Sequence, residues 1–220
     1  MTKLSHIDTW VFDLDNTLYD AEEHVFVEVG KRMTDFVADT LKLPREEADK
    51  RRKHFYHTYG TTLRGMMTEH GIEPDFFLKH VHDIDITGVP ACGITQEYLG
   101  HLPGRKFVFT NAPRHFATAM VSQLGIASHF DAIFAIEDAE YWPKPHAPTY
   151  HAFLAKHGVD PTRACMFEDL EVNLRPAHEL GMSTVWFHGL NVKPEDLNHP
   201  HTHQKAVKLK DWLVNNVTKR

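Results

Sequence analysis

The sequence predicts an α/β protein, a Rossmann-like doubly wound parallel sheet with an inserted α-helical cap domain. Short runs of apolar residues alternate with helical patterns along most of the chain. One long stretch after the first run contains helical patterns and no strand-like run. Several of the apolar runs lead directly into polar residues, and parallel sheets bind their ligands beyond the carboxyl ends of the strands.

Five runs are typical of strands covered on both faces, because they are continuously apolar rather than alternating. They span residues 10–12, 107–109, 132–135, 165–167 and 184–187. Helical patterns separate them; in one of these, Phe116, Met120 and Leu124 share a face and Gly125 ends the helix. This alternation predicts βαβ units with right-handed crossovers and helices on both faces of the sheet. A short helix is also expected within residues 205–220.

The stretch of residues 20–88 interrupts this alternation. Apolar residues recur there at helical spacing within residues 25–37, 48–59 and 76–81. We therefore expect a helical insertion over residues 20–88 and a core domain over residues 1–19 and 89–220.

Composition argues against several classes of function. Hydrophobic residues make up 42% and charged residues 25% of the chain, an ordinary globular balance. The net charge of -6 argues against a groove for a nucleic acid polymer, which needs clustered Lys and Arg. The apolar run of residues 9–12 is too short for a signal peptide or a membrane span, so we expect a soluble, cytoplasmic protein without membrane partners. Among the 18 histidines, His199, His201 and His203 cluster, and we interpret that segment as a solvated loop.

Acidic side chains follow two of the predicted strands. Asp13 and Asp15 come directly after the first strand, and Asp169 follows the fourth. Like charges at short range raise the pKa of one carboxyl group unless a cation intervenes, and hard carboxylate oxygens select Mg²⁺. The sequence therefore predicts a magnesium site at this edge of the sheet. The alternative, that these acids only decorate a turn, would explain one acid better than acids at two strand ends.

Groups suited to an anion lie at two further positions. Thr110 and Asn111 close the second predicted strand, and Pro113 marks a helix start, so a hydroxyl, an amide and free backbone N–H groups would share one place. Lys144 stands between two prolines, which restrict the backbone on either side of it. The alternatives are helix capping by Thr110 or Asn111 and a solvated surface lysine.

Taken together, these residues resemble the haloacid dehalogenase superfamily of phosphotransferases. Residues 13–19, DLDNTLY, are similar to its first motif, DxDxT. The second, third and fourth motifs are matched, in the family's order, by Thr110-Asn111, by Lys144-Pro145, and by Glu168-Asp169 with Asn173. The resemblance covers nearly the whole chain and implies a Mg²⁺-dependent phosphatase that hydrolyses phosphoric monoesters. It also implies that the insertion of residues 20–88 is a helical cap domain, and its place directly after the first motif suits a hinged lid; a rigid packing domain is the alternative.

The resemblance implies a role for both acids of the first motif. Asp13 would be the nucleophile that forms an aspartyl-phosphate, and it would also ligate Mg²⁺. Asp15 would offer its backbone carbonyl to Mg²⁺ and act as general acid, then as general base. The dehalogenases that give the superfamily its name lack a second acid at this position, so Asp15 favours a phosphatase.

The other motifs would bind the phosphoryl group and the metal. The resemblance implies that Thr110 and Lys144 bind the transferring phosphoryl group, with Asn111 assisting. It further implies that Asp169 ligates Mg²⁺ directly and that Glu168 holds a metal-bound water.

Within the superfamily, residues 59–65, YGTTLRG, and the pair Leu18-Tyr19 resemble the pyrimidine 5′-nucleotidase branch. This resemblance implies a small phosphorylated metabolite as partner, a nucleoside monophosphate such as UMP or CMP. Cap residues that would contact its base or ribose are Tyr56 or Tyr59, and Thr61, Thr62 or Arg64. The same residues are equally well explained as the end and start of two helices, with Gly60 as C-cap.

Other functions stay open on the same sequence. Phosphoglycolate or a small sugar phosphate is an alternative substrate, and a phosphomutase is a further possibility. A non-catalytic binding module on the same fold belongs to a different class, since a fold by itself never establishes activity. The oligomeric state is left open.

Overall fold

The computed structural model describes residues 4–190 and 197–218, and a six-stranded parallel sheet forms its centre. The strands are β1 (Thr9–Phe12), β2 (Arg105–Phe109), β3 (Ala132–Phe134), β4 (Ala164–Glu168), β5 (Ser183–Phe187) and β6 (Gln204–Ala206). Their order across the sheet is β3-β2-β1-β4-β5-β6. All five predicted strands are confirmed.

Ten α-helices lie within the described residues. They are α1 (Ala21–His24), α2 (Phe26–Leu41), α3 (Arg45–Tyr59), α4 (Thr62–His70), α5 (Pro74–His82), α6 (Gly93–His101), α7 (Arg114–Gln123), α8 (Ala147–His157), α9 (Glu171–Glu179) and α10 (Leu209–Asn216). The first five lie within residues 20–88, where the sequence predicts a helical insertion. The predicted Rossmann-like α/β class is confirmed.

Helices cover both faces of the sheet. Successive residues of a strand point to opposite faces, so each central strand contributes to an apolar core on either side. Trp10 and Phe12 of β1 belong to one apolar core, together with Phe116 of α7 and Trp212 of α10. Val11 belongs to the opposite core, where α8 and α9 pack. The sheet is therefore doubly wound, as predicted.

The inserted helices pack on one another mainly through aromatic side chains. Phe36 of α2 and Phe77 of α5 meet with ring centroids 5.0 Å apart, and Phe55 of α3 is fully buried. These residues belong to the same apolar cluster as Trp10, so the insertion and the sheet share a continuous core. The boundaries of a cap domain at residues 20 and 88 stay a prediction. None of the described helices combines the length and the apolar character that a membrane span requires.

The sheet has one strand more than the apolar runs indicate. β6 pairs in parallel with β5 at the edge of the sheet, and its sequence is Gln-Lys-Ala. An edge strand needs no continuous apolar run, because it is not enclosed on both sides. The preceding histidine segment is a loop, as expected, with His203 exposed, but the side chain of His201 is only 12% exposed. The predicted tail helix is confirmed as α10.

Candidate active site

The strand order creates a crevice beside the end of β1. From β1 the chain proceeds to β2 and β3 on one side, and later to β4, β5 and β6 on the other. Such a switch point leaves a ligand site beyond the carboxyl ends of the central strands. The amide of Asp13 donates to the carbonyl of Phe167 at 2.9 Å, which places Asp13 level with Glu168 at the end of β4. The acids predicted at two strand ends therefore meet.

Lys144 is the centre of this group. Its ammonium Nζ donates to Asp13 Oδ1 at 2.6 Å, to Glu168 Oε1 at 3.0 Å and to the carbonyl of Phe109 at 2.8 Å. An ammonium has three N–H donors, and each has one acceptor here. The side chain is 1% exposed, so the alternative of a solvated surface lysine is wrong. Burial opposes the charge of Lys144, but the Asp13 and Glu168 carboxylates outweigh it and raise its pKa.

Asn111 holds the backbone of Lys144 in place. Its Oδ1 accepts from the Lys144 amide at 2.8 Å, and its Nδ2 donates to the Lys144 carbonyl at 3.2 Å. Thr110 is buried, and its hydroxyl accepts from the Ala112 amide at 2.9 Å. The helix α7 begins with Pro113 at the N-cap and no side-chain capping bond, so neither Thr110 nor Asn111 caps it.

Glu168 is bound on both carboxylate oxygens. Oε2 accepts from the amides of Asp169 at 2.7 Å and Leu170 at 3.2 Å, and Oε1 accepts from Asn173 Nδ2 at 2.5 Å and from Lys144. Burial opposes its ionisation, but the Lys144 ammonium and these donors lower the pKa of Glu168. The fourth motif therefore presents an ionised, oriented carboxylate next to Asp169.

The single ammonium of Lys144 faces three carboxyl groups among the described residues, those of Asp13, Glu168 and Asp169. Burial raises the pKa of Asp13 to about 8, with Glu168 adding and Lys144 opposing. Burial raises the pKa of Asp169 to about 9, and the charges of Glu168 and Asp13 add to it. Oxygen atoms of Asp13, Glu168 and Asp169 all lie within 4.8 Å of one another. Hard oxygen ligands crowded at low exposure fit a Mg²⁺ ion, which would offset their mutual repulsion.

Asp15 is half-buried and accepts a short hydrogen bond from the hydroxyl of Tyr19. Burial raises the pKa of Asp15 to about 6, while the bond from Tyr19 and the charge of Lys144 act in the opposite direction. Asp15 therefore differs in environment from Asp13, two residues away, because a phenol rather than an ammonium is its partner. Sequence reasoning placed Tyr19 in the first motif and assigned it no role.

Asn16 was also missed as a functional residue. Its Nδ2 donates to Asp169 Oδ2 at 3.2 Å, and its Oδ1 accepts from the amides of Ala21 and Glu22 at 2.9 and 3.1 Å. Its φ of 59° lies in the left-handed region, which Asn tolerates better than most residues. Asn16 thus links Asp169 of the fourth motif to the start of α1. The position of Asn16 in the first motif, directly after Asp15, was the sequence signal that could have identified it.

The predicted cap residues have protein partners. The Tyr59 hydroxyl donates to Glu69 Oε1 at 3.0 Å, and Thr61 Oγ1 accepts from the Arg64 amide at 3.1 Å. Gly60 ends α3 in the left-handed conformation, as the capping interpretation expects. The guanidinium of Arg64 lies 3.5 Å from the ring centroid of Trp142, a residue that sequence reasoning did not consider.

Tyr56 of α3 lies within electrostatic range of the catalytic acids. Burial raises the pKa of its hydroxyl, and the charges of Asp169 and Glu168 contribute to that rise. The residue is 48% exposed.

The inserted helices touch the segment that carries Lys144. Besides the contact of Arg64 with Trp142, the hydroxyl of Tyr141 donates to Asp75 Oδ1 at 3.0 Å. A Cβ at Gly60 would lie 3.1 Å from Pro143 Cγ, so the end of α3 approaches the proline ring closely. The insertion therefore contacts residues 141–143, directly before Lys144.

Comparisons with known proteins agree with this geometry. A family model described as "Haloacid dehalogenase-like hydrolase" matches residues 10–187. The chain is 26% identical over 193 residues to "Phosphate metabolism protein 8" of Saccharomyces cerevisiae, covering 79% of this chain and 59% of that protein. It is 28% identical over 97 residues to "Fructose-1-phosphate phosphatase YqaB" of Escherichia coli, covering 44% of this chain and 50% of that protein. The chain thus spans less than two thirds of both curated relatives.

A solved structure described as a HAD phosphatase from Thermococcus onnurineus has a similar fold. It superposes with a TM-score of 0.65 at 18% identity, over 94% of this chain and 96% of that one. At this identity the likeness concerns the fold alone, and it includes the inserted helices because nearly the whole of each chain is covered.

Proposed function

Since the chain belongs to the haloacid dehalogenase-like hydrolase family, we propose that it hydrolyses phosphate monoesters through an aspartyl-phosphate formed on Asp13. One observation carries this proposal. Lys144, bound to Asp13 and Glu168, lies at the ends of the central strands, and a second acid, Asp15, lies two residues beyond Asp13. A nucleophilic carboxylate, a fixed cation and a separate proton donor are the groups that phosphoryl transfer needs.

The first step joins Asp13 to phosphorus. A carboxylate oxygen of Asp13 attacks the phosphorus atom, the bond from phosphorus to the ester oxygen breaks, and the Asp15 carboxyl group gives its proton to the leaving oxygen. The Lys144 ammonium and the Thr110 hydroxyl stabilise the charge on the phosphoryl oxygens. Tyr19 orients Asp15 through its hydrogen bond.

The second step regenerates the free enzyme. Water attacks the phosphorus atom of the aspartyl-phosphate and gives a proton to the Asp15 carboxylate. The bond between phosphorus and the Asp13 oxygen breaks, and inorganic phosphate leaves. Asp15 is then protonated again for the next substrate, so one residue serves as acid and as base.

The residues suited to hold Mg²⁺ are Asp13, the Asp15 backbone carbonyl and Asp169, with Glu168 and Asn16 orienting them. Around Lys144, three carboxylates lie together against a single ammonium, which supports a site for a divalent cation. When bound, Mg²⁺ supplies positive charge to the phosphoryl oxygens and to the acids.

We further propose that the substrate is a small phosphorylated metabolite, with a pyrimidine nucleoside monophosphate as the first candidate. The position of Tyr56 supports it, because a half-exposed ring near the acids can stack on a base. Tyr59, Thr61 and Arg64 are the other proposed binding residues, although each has a partner within the protein. A sugar phosphate is the second candidate, which the name of the Escherichia coli relative favours.

A phosphatase assay tests both levels of the proposal. Release of phosphate from p-nitrophenyl phosphate should require Mg²⁺ and should be abolished in Asp13→Asn, with the variant still folded by circular dichroism. Absence of hydrolysis by the wild-type protein would favour a binding module. A panel of UMP, CMP, AMP, fructose 1-phosphate, glucose 1-phosphate and phosphoglycolate then ranks the substrates. A preference for the sugar phosphates or phosphoglycolate would overturn the nucleotide assignment and leave the phosphatase assignment intact.

A further inference from the structure

A second cluster of metal-ligating side chains lies outside the catalytic acids. Among residues 4–190 and 197–218, two groups of three such side chains bring their ligand atoms within 4.8 Å of one another. One is the catalytic set. The other consists of Glu171, His199 and His201. Glu171 Oε2 is 2.5 Å from His201 Nε2 and 3.5 Å from His199 Nδ1.

The fold holds these three residues in place from two directions. Glu171 is the first residue of α9, directly after the fourth motif. The two histidines lie in the segment before β6, and the hydroxyl of Thr184 in β5 donates to the carbonyl of His201 at 2.7 Å. The two imidazole rings lie 5.5 Å apart. The start of α9 and the segment before β6 therefore bring two imidazoles and a carboxylate together.

The donor set differs in chemistry from the catalytic one. Imidazole nitrogen with carboxylate oxygen suits borderline cations such as Zn²⁺, whereas the all-oxygen catalytic set suits Mg²⁺. In a tetrahedral zinc site with bonds of about 2.1 Å, neighbouring ligand atoms lie roughly 3.4 Å apart. The separation of Glu171 from His199 already matches this value, and that from His201 must open by about 1 Å.

We propose that Glu171, His199 and His201 form a binding site for a divalent transition metal ion, with Zn²⁺ as the best match. Three protein ligands leave one coordination position for water or another ligand. The side chains of all three residues are partly exposed, at 33%, 28% and 12%, so an ion can enter from solvent. This inference is independent of the proposed phosphatase activity.

Trp186 contacts both this site and the catalytic crevice, so its fluorescence can reveal metal binding. Its ring packs edge-on against His199, with centroids 5.1 Å apart. Its Nε1 donates to the carbonyl of Asp169 at 2.8 Å. A paramagnetic ion bound at His199 would therefore lie next to an indole and quench its fluorescence.

The test measures metal affinity rather than turnover. Zn²⁺ is titrated into the full chain in competition with a chromophoric chelator, in excess Mg²⁺ so that the catalytic acids are occupied. The variants are His199→Ala, His201→Ala and Glu171→Gln. The matched control is His151→Ala, an exposed histidine on α8, and Asp169→Asn serves as the control for binding at the catalytic acids.

We expect one site in the wild-type protein that is weakened at least about 100-fold in either histidine variant, since loss of even an outer-sphere partner costs 10–100-fold. His151→Ala and Asp169→Asn should bind like the wild type. Equal affinity in wild type and His199→Ala would overturn the proposal, as would a loss confined to Asp169→Asn. In that case Glu171 and His201 form only an ion pair.

Fluorescence provides a second, independent measurement. Ni²⁺ or Cu²⁺ at one equivalent should quench the tryptophan emission of the wild-type protein, and most of this quenching should disappear in Trp186→Phe and in His199→Ala. Quenching that persists in both variants would place the ion elsewhere and contradict the site.

Discussion

Asp15, the proposed proton donor, has the hydroxyl of Tyr19 as its neighbour. The Tyr19 hydroxyl donates to its carboxylate, and no ammonium contacts it in the described structure. We predict that Asp15→Asn slows the hydrolysis of alkyl phosphates by about 10²–10⁴-fold, because an amide cannot protonate the leaving alkoxide. The measurement is kcat for an alkyl phosphate and for p-nitrophenyl phosphate, whose better leaving group should make the second effect smaller.

The matched control for this substitution is Asp20→Asn. Asp20 is exposed and caps α1, and Asn caps a helix as well as Asp does, so activity should hardly change. Equal losses for both phosphate esters in Asp15→Asn would contradict a role in protonating the leaving group. Unchanged turnover would remove Asp15 from the reaction.

Lys144 balances buried charge as well as serving the reaction. We predict that Lys144→Met abolishes activity and lowers the free energy of unfolding by about 3–5 kcal/mol without added Mg²⁺, since two buried carboxylates lose their cation. Lys156→Met is the control, because Lys156 is 50% exposed and its pair with Asp138 should contribute about 0–1 kcal/mol. Urea denaturation measures both. Similar losses in the two variants would contradict the assigned difference in burial.

At the scale of elements, one glycine sets the distance between two helices of the insertion. A Cβ at Gly65 of α4 would lie 2.5 Å from the Cβ of Phe55 in α3. We predict that Gly65→Ala destabilises the protein by about 1–3 kcal/mol through overpacking. Gly30 of α2 has no atom within 4 Å of such a Cβ, so Gly30→Ala should stabilise by about 0.5–1 kcal/mol. Thermal unfolding of both variants checks the prediction, which fails if their shifts have the same sign.

At the scale of the whole molecule, His82 joins the insertion to the core. It lies in α5, and its ring contacts Phe116 of α7 with centroids 5.3 Å apart. Burial lowers the pKa of His82 from 6.5 to about 4; the carbonyl of Leu78 opposes this shift and His115 adds to it. The unfolded chain therefore takes up a proton first as the pH falls. The stability that His82 contributes is complete above about pH 6.5 and is lost between pH 6.5 and pH 4.

We predict that His82→Gln makes the stability less dependent on pH in this window. The measurement is the urea midpoint at several pH values between 4 and 7. His151→Gln, at an exposed position, should keep the wild-type slope. Parallel curves for wild type and His82→Gln would show that another group determines the pH dependence.

Contacts of Arg64 and Tyr141 join the insertion to the segment before Lys144, and we propose that they hold the insertion over the crevice. We predict that Arg64→Ala raises KM several-fold and speeds hydrogen exchange in residues 141–146, because a cation–π contact of about 1 kcal/mol with Trp142 is lost. Tyr141→Phe removes a different contact, that with Asp75, and should act in the same direction. If Arg64 also contacts the base of a nucleotide substrate, only Arg64→Ala changes the ratio of UMP to sugar-phosphate turnover. Unchanged exchange in Arg64→Ala would contradict its part in closure.

The amino-acid sequence alone was enough to predict the class of fold, most of the strands and the polar groups at strand ends. Strand and helix periodicity follow from local burial, so five of the six described strands were predictable, and β6 was not because an edge strand lacks an apolar run. The residues of the first, second and fourth motifs were likewise visible, since they follow directly after β1, β2 and β4, whereas Lys144 lies well beyond β3 and was marked by its flanking prolines.

Which of these groups are in contact could be learned only from the packing of the elements. The bond from Lys144 to Asp13 joins residues 131 positions apart, and no local pattern specifies such a pairing. The same holds for Asn16 with Asp169, for Arg64 with Trp142, and for the carboxylate that meets the two histidines. Sequence periodicity shows which face of an element is buried. Packing between elements determines which side chains come into contact, and the chemistry of the site depends on those contacts.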